Sequence, residues 1–199
     1  MKLQKKIFNT RKITITAMLA AVSTVLMFLS FNFPLMPSFI KMDFSELPAL
    51  IAAFALGPVS GVMVCFIKNI INLMFSTTSG VGELCNFMLG AMFVLPAGMI
   101  YKKHKSHKGA IVGAFIGAVC MALSSVITNY FITYPAYSLF MPIDAILAMY
   151  QAILPSVDSL LKALLVFNMP FTFVKGILSA IITFFIYKPL SPIIKGRKI

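Results

Sequence analysis

Long apolar runs recur through this 199-residue chain and determine the class of fold that it can adopt. Hydrophobic residues fill 60% of the positions, charged residues fill 11%, and the mean hydropathy is +0.96. A soluble domain of ordinary composition has roughly 25% charged residues, so this composition is that of an integral membrane protein. No polar tract is long enough to form a second domain. The sequence therefore predicts one all-α membrane domain over residues 1–199.

The apolar runs predict a bundle of six transmembrane helices, because about 20 apolar residues cover the bilayer. The predicted spans are about 13–31, 44–56, 59–75, 81–101, 109–134 and 166–187. A turn is expected at Gly57-Pro58, since proline disfavours helix in the residue before it. The first run is longer than the roughly 7–15 apolar residues of a signal peptide and no clear cleavage site follows it, so we expect a retained helix.

Basic residues are concentrated in three segments, which are the tail 1–12, the loop after the fourth span and the tail 188–199. With six spans all three lie on one side, and the positive-inside rule makes that side the cytoplasm. Both termini are therefore predicted to be cytoplasmic, and all five acidic residues then lie outside or at the outer helix ends. Nucleic acid is not an expected partner, because no basic helix face is interleaved with aromatic residues.

Polar side chains inside the predicted spans converge toward the outer leaflet. Such groups are costly in a bilayer and are functional candidates by default. Their structural alternative is interhelical hydrogen bonding together with a Lys–Glu pair. Amides, a hydroxyl and ammonium groups at one face instead favour a pocket for a neutral polar heterocycle that carries hydroxyls. The candidate residues are Lys68, Glu83, Asn86, Asn129, Asn168, Thr172 and Lys175.

The segment from Phe39 to Pro48 places charged residues between two apolar runs and is predicted to cover this pocket. Phe39, Met42 and Phe44 are the expected covering side chains. Asp43 and Glu46 are expected to hold the segment in place, because a neutral ligand gains little from two carboxylates. Aromatic rings near the pocket can stack on a flat ring system. The candidates for stacking are Phe39, Phe44, Phe87, Tyr130 and Phe171.

Small residues and the long connection after the fifth span carry weaker predictions. The glycine series Gly109, Gly113 and Gly117 favours close packing inside the bundle. Ala17 and Ala21 share one helix face, where either internal packing or a partner subunit is expected. The connection at 134–165 is predicted to contain a short helix over residues 143–153, either covering the pocket or lying at the membrane interface.

No motif in the sequence predicts catalysis or metal binding. HExxH, GxSxG, CxxC and Walker A sequences are absent, so neither an enzyme nor an ATPase is expected. Cys65, Cys85 and Cys120 lie in apolar runs without ligand spacing and are predicted to be packing residues. His104 and His107 lie in a lysine-rich loop with no nearby carboxylate or cysteine.

Five motifs are spread along nearly the whole chain. They are Lys41-Met-Asp-Phe-Ser-Glu-Leu-Pro-Ala-Leu-Ile51, Gly57-Pro-Val-Ser-Gly61, Lys68-Asn69, Gly82-Glu-Leu-Cys-Asn-Phe87 and Pro170-Phe-Thr-Phe-Val-Lys-Gly176. Together they resemble the riboflavin-binding S components of energy-coupling-factor (ECF) transporters. Thr172 stands where the family's final-helix motif has asparagine.

The resemblance implies a subunit of the bacterial plasma membrane that captures riboflavin as a transported substrate, with no cofactor. It implies as partners a transmembrane scaffold (T) subunit and two cytoplasmic ATPases, and it implies that the face with Ala17 and Ala21 meets the scaffold. It also implies that the loop after the first helix caps the pocket. Two alternatives stay open, which are an S component for another vitamin and an ATP-independent carrier or structural membrane protein.

Overall fold

The computed structural model describes residues 10–195, except for residues 35, 38, 39, 77 and 140. The predicted covering residue Phe39 therefore lies outside the described residues. The chain is mostly helical, in agreement with the predicted class. Its helices are α1 (Thr10–Phe28), α2 (Glu46–Leu56), α3 (Pro58–Leu73), α4 (Val81–Lys103), α5 (His107–Thr128), α6 (Tyr134–Tyr137), α7 (Ile143–Gln151), α8 (Leu160–Ala163) and α9 (Met169–Lys195).

Two segments of π-helix extend the last two long helices toward the same end of the bundle. The segment π1 (Asn129–Thr133) joins α5 to α6, and π2 (Leu164–Asn168) joins α8 to α9. Each adds one residue to a helical turn, a feature that occurs mostly at functional sites. The continuous helices are therefore longer than the predicted spans, since they cover His107–Tyr137 and Leu160–Tyr187 as membrane-crossing candidates.

Four helices in the described part of the chain are long and apolar enough to cross a membrane. They are α1, α4 and the two helices that contain π1 and π2. The helices α2 and α3 are apolar but shorter, with 11 and 16 residues. At 1.5 Å per residue, α2 rises about 16 Å, roughly half of a typical hydrocarbon core. The count of six spans and the cytoplasmic side of the termini stay predictions.

A short β-hairpin lies between α1 and α2, in the connection of residues 29–45 that we call the hairpin segment. Phe31–Asn32 forms β1 and Lys41–Met42 forms β2, and the two pair in antiparallel register, Phe31 with Met42 and Asn32 with Lys41. The sequence predicted a covering segment here but not its two strands. The hairpin, α6 and α7 mark one end of the bundle, which we call the pocket end; the loop of Lys102 to Lys108 marks the opposite, basic end.

The helix α2 forms the centre of the bundle. Every residue from Glu46 to Phe54 is buried, and α2 packs against α1, α3, α4 and α9. Its last residue leads into Gly57, whose φ of 107° is a conformation that side chains other than glycine rarely adopt. Pro58 then begins α3 at a position where its missing N–H costs nothing. The predicted turn at Gly57-Pro58 is present in the structure.

Close backbone contact between α4 and α5 depends on the glycine series. A Cβ added at Gly113 would lie 2.8 Å from the carbonyl oxygen of Ala97, and one at Gly117 would lie 2.4 Å from that of Phe93. Only glycine allows this approach, so the series serves packing within the bundle, as predicted. Ala17 and Ala21 on α1 are instead exposed beside Met18 and Val22.

A second, smaller core joins α7 to the pocket end. Ile146 and Tyr150 of α7 are buried together with Tyr134, Val157 and Leu164. The predicted helix within residues 143–153 is therefore present as α7, but it packs on the bundle instead of lying loosely on its surface. This packing brings Tyr150, a residue of the long connection, within hydrogen-bonding distance of Asn168, one of the predicted site residues.

Candidate functional site

Four buried charged residues form a network between the hairpin segment and three helices, α2, α3 and α9. Lys175 of α9 lies 2.8 Å from Asp43 and 3.2 Å from Glu46, and Lys68 of α3 lies 2.9 Å from Glu46. Each of the four is at most 6% exposed. Two ammonium groups face two carboxylates, so the network is neutral as a whole. A buried ammonium or carboxylate group stays ionised only when an oppositely charged partner lies this close.

Ser45 joins this network to α1 and fixes the end of the hairpin segment. Its backbone N–H donates to Asp43 Oδ1 at 2.8 Å, its carbonyl oxygen accepts from the Ser23 hydroxyl, and its own hydroxyl accepts from the Lys68 ammonium. Residues 43–46 are therefore held by α1, α3 and α9 at once. Asp43 and Glu46 thus have partners within the protein, while Asp43 also lines the outer of two neighbouring cavities and Glu46 the inner one, so the expectation that they hold the segment without touching a ligand stays a prediction.

Burial and the neighbouring ammonium groups act in opposite directions on Asp43. Loss of water favours the neutral acid, whereas Lys175, and more weakly Lys68, favour the carboxylate. The attraction is the stronger influence in sum and lowers the pKa of Asp43 from 3.8 to about 2. The carboxylate of Asp43 is therefore ionised at every physiological pH.

An inner cavity of about 160 Å³ lies beside Lys175, enclosed by α4, the π segments and α9. It brings together five of the predicted site residues, although they are distant in sequence. Asn86 comes from α4, Asn129 from π1, and the other three from π2 and α9. These five are Asn86, Asn129, Asn168, Thr172 and Lys175.

The two asparagines of the π segments line the inner cavity and each has a partner within the protein. Asn129 donates its Nδ2 to the Ser125 carbonyl oxygen at 2.7 Å, and its Oδ1 lies 3.7 Å from the Cys85 thiol. Asn168 accepts at Oδ1 from the Tyr150 hydroxyl at 2.7 Å, and its amide lines the cavity. The two amides thus give the cavity wall both acceptor and donor groups.

An outer cavity of about 720 Å³ opens above the inner one and shares Lys41, Gly82, Asn86 and Tyr137 with it. Its volume lies in the range of small-molecule sites. Glu83 lines it and accepts hydrogen bonds from Asn72 at 3.2 Å, Ser76 at 2.7 Å and Thr78 at 3.2 Å. Among the described residues no Lys, Arg or His nitrogen lies within 4.0 Å of this carboxylate.

Three predicted site residues lie next to the cavities instead of lining them. Lys68 reaches the site only through Glu46 and Ser45, Met42 is buried beneath the hairpin, and Phe44 stacks obliquely on Phe31. Their roles as ligand contacts stay predictions. Asn72, which the sequence places on the same face of the third span as Lys68, lines the outer cavity. Sequence reasoning did not select Lys41, Tyr134 or Tyr137, which line the cavities from positions that read as ordinary loop or helix residues.

The predictions for rings and thiols need correction in three places. Tyr130 is 41% exposed on the outside of π1, and Phe87 packs edge-to-face on Phe66, so neither lines a cavity. Phe171, which was also predicted to stack on the ligand, does line the inner cavity. Cys85 lines the inner cavity, and its thiol lies 3.7 Å from Asn129 Oδ1, so it is more than a packing residue.

This arrangement, a bundle of apolar helices with a polar small-molecule cavity at one end, defines the class as a multi-pass membrane protein that binds a ligand. The sequence profile of the ECF transporter, substrate-specific component, matches residues 11–187. The chain therefore belongs to the family of substrate-specific (S) components of ECF transporters, and the predicted resemblance is confirmed.

Relatives with assigned names are similar over nearly the whole chain. The riboflavin transporter RibU of Staphylococcus aureus (strain TCH60) is 36% identical over 94% of this chain and 93% of its own. The riboflavin transporter FmnP of Bacillus subtilis (strain 168) is 33% identical over 96% and 97%. A solved S component of a bacterial ECF transporter superposes with a TM-score of 0.74 at 33% identity, over 93% of this chain and 98% of that chain.

Proposed function

We propose that this chain is the riboflavin-binding subunit of an ATP-driven ECF transporter in a bacterial plasma membrane. The observation that carries the proposal is the convergence of five polar residues from three separate helical segments on one cavity. The names of the relatives, which cover almost the full chain, give the class of ligand. Riboflavin is then the transported substrate and not a cofactor.

The polar wall of the inner cavity suits the pyrimidinedione edge of the flavin ring. That edge carries two carbonyl oxygens and one N–H, which need donors and an acceptor from the protein. Asn168 supplies donors and Asn129 an acceptor. The Lys175 ammonium has three N–H groups, of which two face Asp43 and Glu46, so one is left for the ligand.

The outer cavity suits the hydroxylated side chain of riboflavin. Glu83 has more acceptor sites than the three hydrogen bonds it receives, and Asn86, whose Oδ1 accepts from Asn69 Nδ2 at 3.5 Å, lines the same cavity and has an NH₂ group to donate. A neutral chain of hydroxyls can donate to the carboxylate and accept from the amide. The hairpin segment, held by Asp43 and Glu46, lies over these groups and caps the ligand in the proposed complex.

Coupling to ATP is assigned to partner subunits, because the sequence has no Walker A motif. The exposed Ala17 and Ala21 on α1 give a face with little side-chain bulk, on which a helix of the scaffold subunit can pack closely. Two cytoplasmic ATPases complete the proposed transporter.

Titration of the purified protein in detergent with riboflavin tests the proposal, with quenching of flavin fluorescence as the readout. Saturable quenching near one flavin per chain is expected, and an excess of thiamine or biotin should leave it unchanged. A colourless protein that quenches no flavin fluorescence would contradict the proposal, and binding of another vitamin instead would reassign the substrate.

Reconstitution separates transport coupling from binding. Proteoliposomes with the scaffold and both ATPases should accumulate riboflavin only with ATP, whereas vesicles that contain this chain alone should not. Uptake by the chain alone would favour an ATP-independent carrier. Ala17→Leu together with Ala21→Leu should abolish ATP-dependent uptake while riboflavin binding is retained; Val22→Leu on the same helix is the matched control.

A further inference from the structure

Glu83 is a buried carboxylate of the outer cavity that has no cationic partner among the described residues. It is 8% exposed, and its three hydrogen bonds come from one amide and two hydroxyl groups. The other two buried carboxylates, Asp43 and Glu46, each lie within 3.2 Å of a lysine ammonium group. The negative charge of Glu83 is therefore stabilised by neutral dipoles but is not neutralised.

The other charges around the outer cavity do not cancel this one. Lys68 and Lys175 are engaged with Glu46 and Asp43 in the buried network. Lys41 also lines the outer cavity, but it is exposed to solvent, and its ammonium group is more than 4.0 Å from every carboxylate of the described residues. Water and salt screen an exposed ammonium group, whereas a buried carboxylate acts through a medium of lower dielectric constant. The buried carboxylate therefore dominates the electrostatic field inside the outer cavity.

We propose that Glu83 determines specificity among flavins, because its charge favours neutral riboflavin over flavins that are phosphorylated on the side chain. Flavin mononucleotide (FMN) has the same ring and the same side chain but ends in a phosphate monoester, whose charge is about −1.5 to −2 at pH 7. With the hydroxylated chain in the outer cavity, the phosphate enters the cavity that Glu83 lines, and repulsion between like charges weakens binding. The proposal rests on the proposed function, since it takes the placement of riboflavin from there.

Three substitutions separate the charge of Glu83 from its shape and from the overall charge of the protein. Glu83→Gln removes the charge and keeps the size of the side chain and one acceptor oxygen. Asp144→Asn is the matched control, because it removes one carboxylate from an exposed position on α7, at the same end of the bundle but outside the lining of both cavities. Lys41→Gln removes the opposite charge from the outer cavity.

The experiment measures the dissociation constants of riboflavin and of FMN by quenching of flavin fluorescence. The readout is the ratio of the two constants, because a lost contact to the shared ring or hydroxyls weakens both ligands alike. Wild type should prefer riboflavin roughly tenfold or more, as expected for two like charges in a partly buried site. This preference should fall about fivefold or more in Glu83→Gln, should stay within about twofold of wild type in Asp144→Asn and should not fall in Lys41→Gln.

The possible results distinguish this inference from the proposed function. Wild-type protein that binds neither flavin overturns both. Wild-type protein that binds FMN as tightly as riboflavin overturns the inference alone. So does an unchanged preference in Glu83→Gln, because a steric cause of the preference would survive a substitution that keeps the shape of the side chain. A fall in Asp144→Asn equal to that in Glu83→Gln, or a fall in Lys41→Gln, would also overturn the inference.

If Glu83→Gln does not fold, the phosphate gives an independent test in the wild-type protein. A phosphate monoester has its second pKa near 6, so FMN gains a negative charge between about pH 5 and about pH 7.5. In the described part of the chain, α1, α3 and α7 contribute uncharged side chains to the outer cavity, and its charged or titratable residues come from the hairpin segment, α4 and α6. These residues are Lys41, Asp43, Glu83 and Tyr137.

The preference for riboflavin over FMN should rise as the pH rises through about 6, because the second negative charge of the phosphate increases its repulsion by Glu83. Riboflavin, measured at each pH, is the reference for any change in the protein itself. A preference that stays constant or falls over this range would overturn the inference.

Discussion

The two ends of this helix bundle are held together by different forces. At the basic end and through the middle, α4 and α5 meet backbone to backbone across Gly113 and Gly117. At the pocket end, a cavity lies between α4, π1 and α9, and the ion pairs of Lys175 join α9 to Asp43 and to Glu46 of α2. Close packing determines the arrangement of the helices, and polar contacts determine the shape of the candidate site.

The difference implies that substitutions at the two ends have different consequences. Between α4 and α5 there is no space for one extra atom, so a larger side chain changes the fold itself. At the pocket end, removal of one polar partner leaves the backbone supported but exposes its counterpart to an apolar environment. Folding should therefore depend on the close helix contacts and on the buried ion pairs, whereas binding should depend on the polar groups of the cavity wall, and four experiments can test this.

The largest effect is expected for Gly117→Leu. Its Cβ would lie 2.4 Å from the Phe93 carbonyl oxygen, a distance that only movement of the backbone can relieve. Overpacking of this kind costs about 3 kcal/mol or more when backbone atoms must move. We expect little folded protein by size-exclusion chromatography in detergent. Val112→Leu, on the exposed side of α5, should be like wild type, and a folded Gly117→Leu protein would contradict the proposed packing.

Glu46→Gln should lower the free energy of unfolding by about 3–5 kcal/mol, because Lys68 and Lys175 then share a single nearby carboxylate. Thermal unfolding in detergent measures the change. The matched control is Asp158→Asn, which breaks the exposed pair with Lys162 and should not change unfolding. Equal stability of Glu46→Gln and wild type would show that the buried network is not needed for the fold.

Asn129→Ala should weaken riboflavin binding by about 1–2 kcal/mol while the unfolding temperature changes little, because it removes one acceptor from the cavity wall. Fluorescence quenching and thermal unfolding give the two values. Ser138→Ala, an exposed residue on the same side of the bundle, is the control. A large loss of stability without loss of affinity would show that Asn129 stabilises the helix bundle and does not contact the ligand.

The smallest effect is expected from pH. The pKa of Asp43 is lowered to about 2 from 3.8, so its contribution to stability is complete above 3.8 and is lost as the pH falls through 2. The hairpin segment should therefore stay in place, and riboflavin affinity should be constant, from about pH 8 to about pH 5. A fall in affinity between these values that Asp43→Asn abolishes would contradict the lowered pKa.

The sequence was sufficient to predict the helices and the polar residues, for a clear physical reason. Apolar runs of helical length and polar residues inside them are local signals, so Asn129, Asn168 and Lys175 were recognisable one by one. The resemblance then supplied the family. The partner of Lys175 was not recognisable by spacing, because Asp43 lies 132 positions earlier in the chain. A long-range ion pair depends on how the helices pack, which no local pattern encodes.

The orientation of the two amides and the place of α7 lay beyond sequence reasoning. Tyr150 reads as one more apolar residue of a short helix, and only the fold brings its hydroxyl to Asn168. The hairpin and the π segments also left no signal, because a strand of two residues and one added residue in a helix do not change hydrophobic periodicity enough to be noticed. Contacts between elements that are distant in sequence are found only from the fold.

The π segments also give the pocket a simple route for change by insertion or deletion. Loss of one residue within Asn129–Thr133 would convert that turn to ordinary α-helix and change which side chains of the segment face the cavity, whereas α6, which follows it, would keep its register. The glycine contacts of α5 precede this point and would keep their register. Deletion of a single codon can therefore exchange the side chains that face the cavity, while the packing of α4 against α5 stays unaltered.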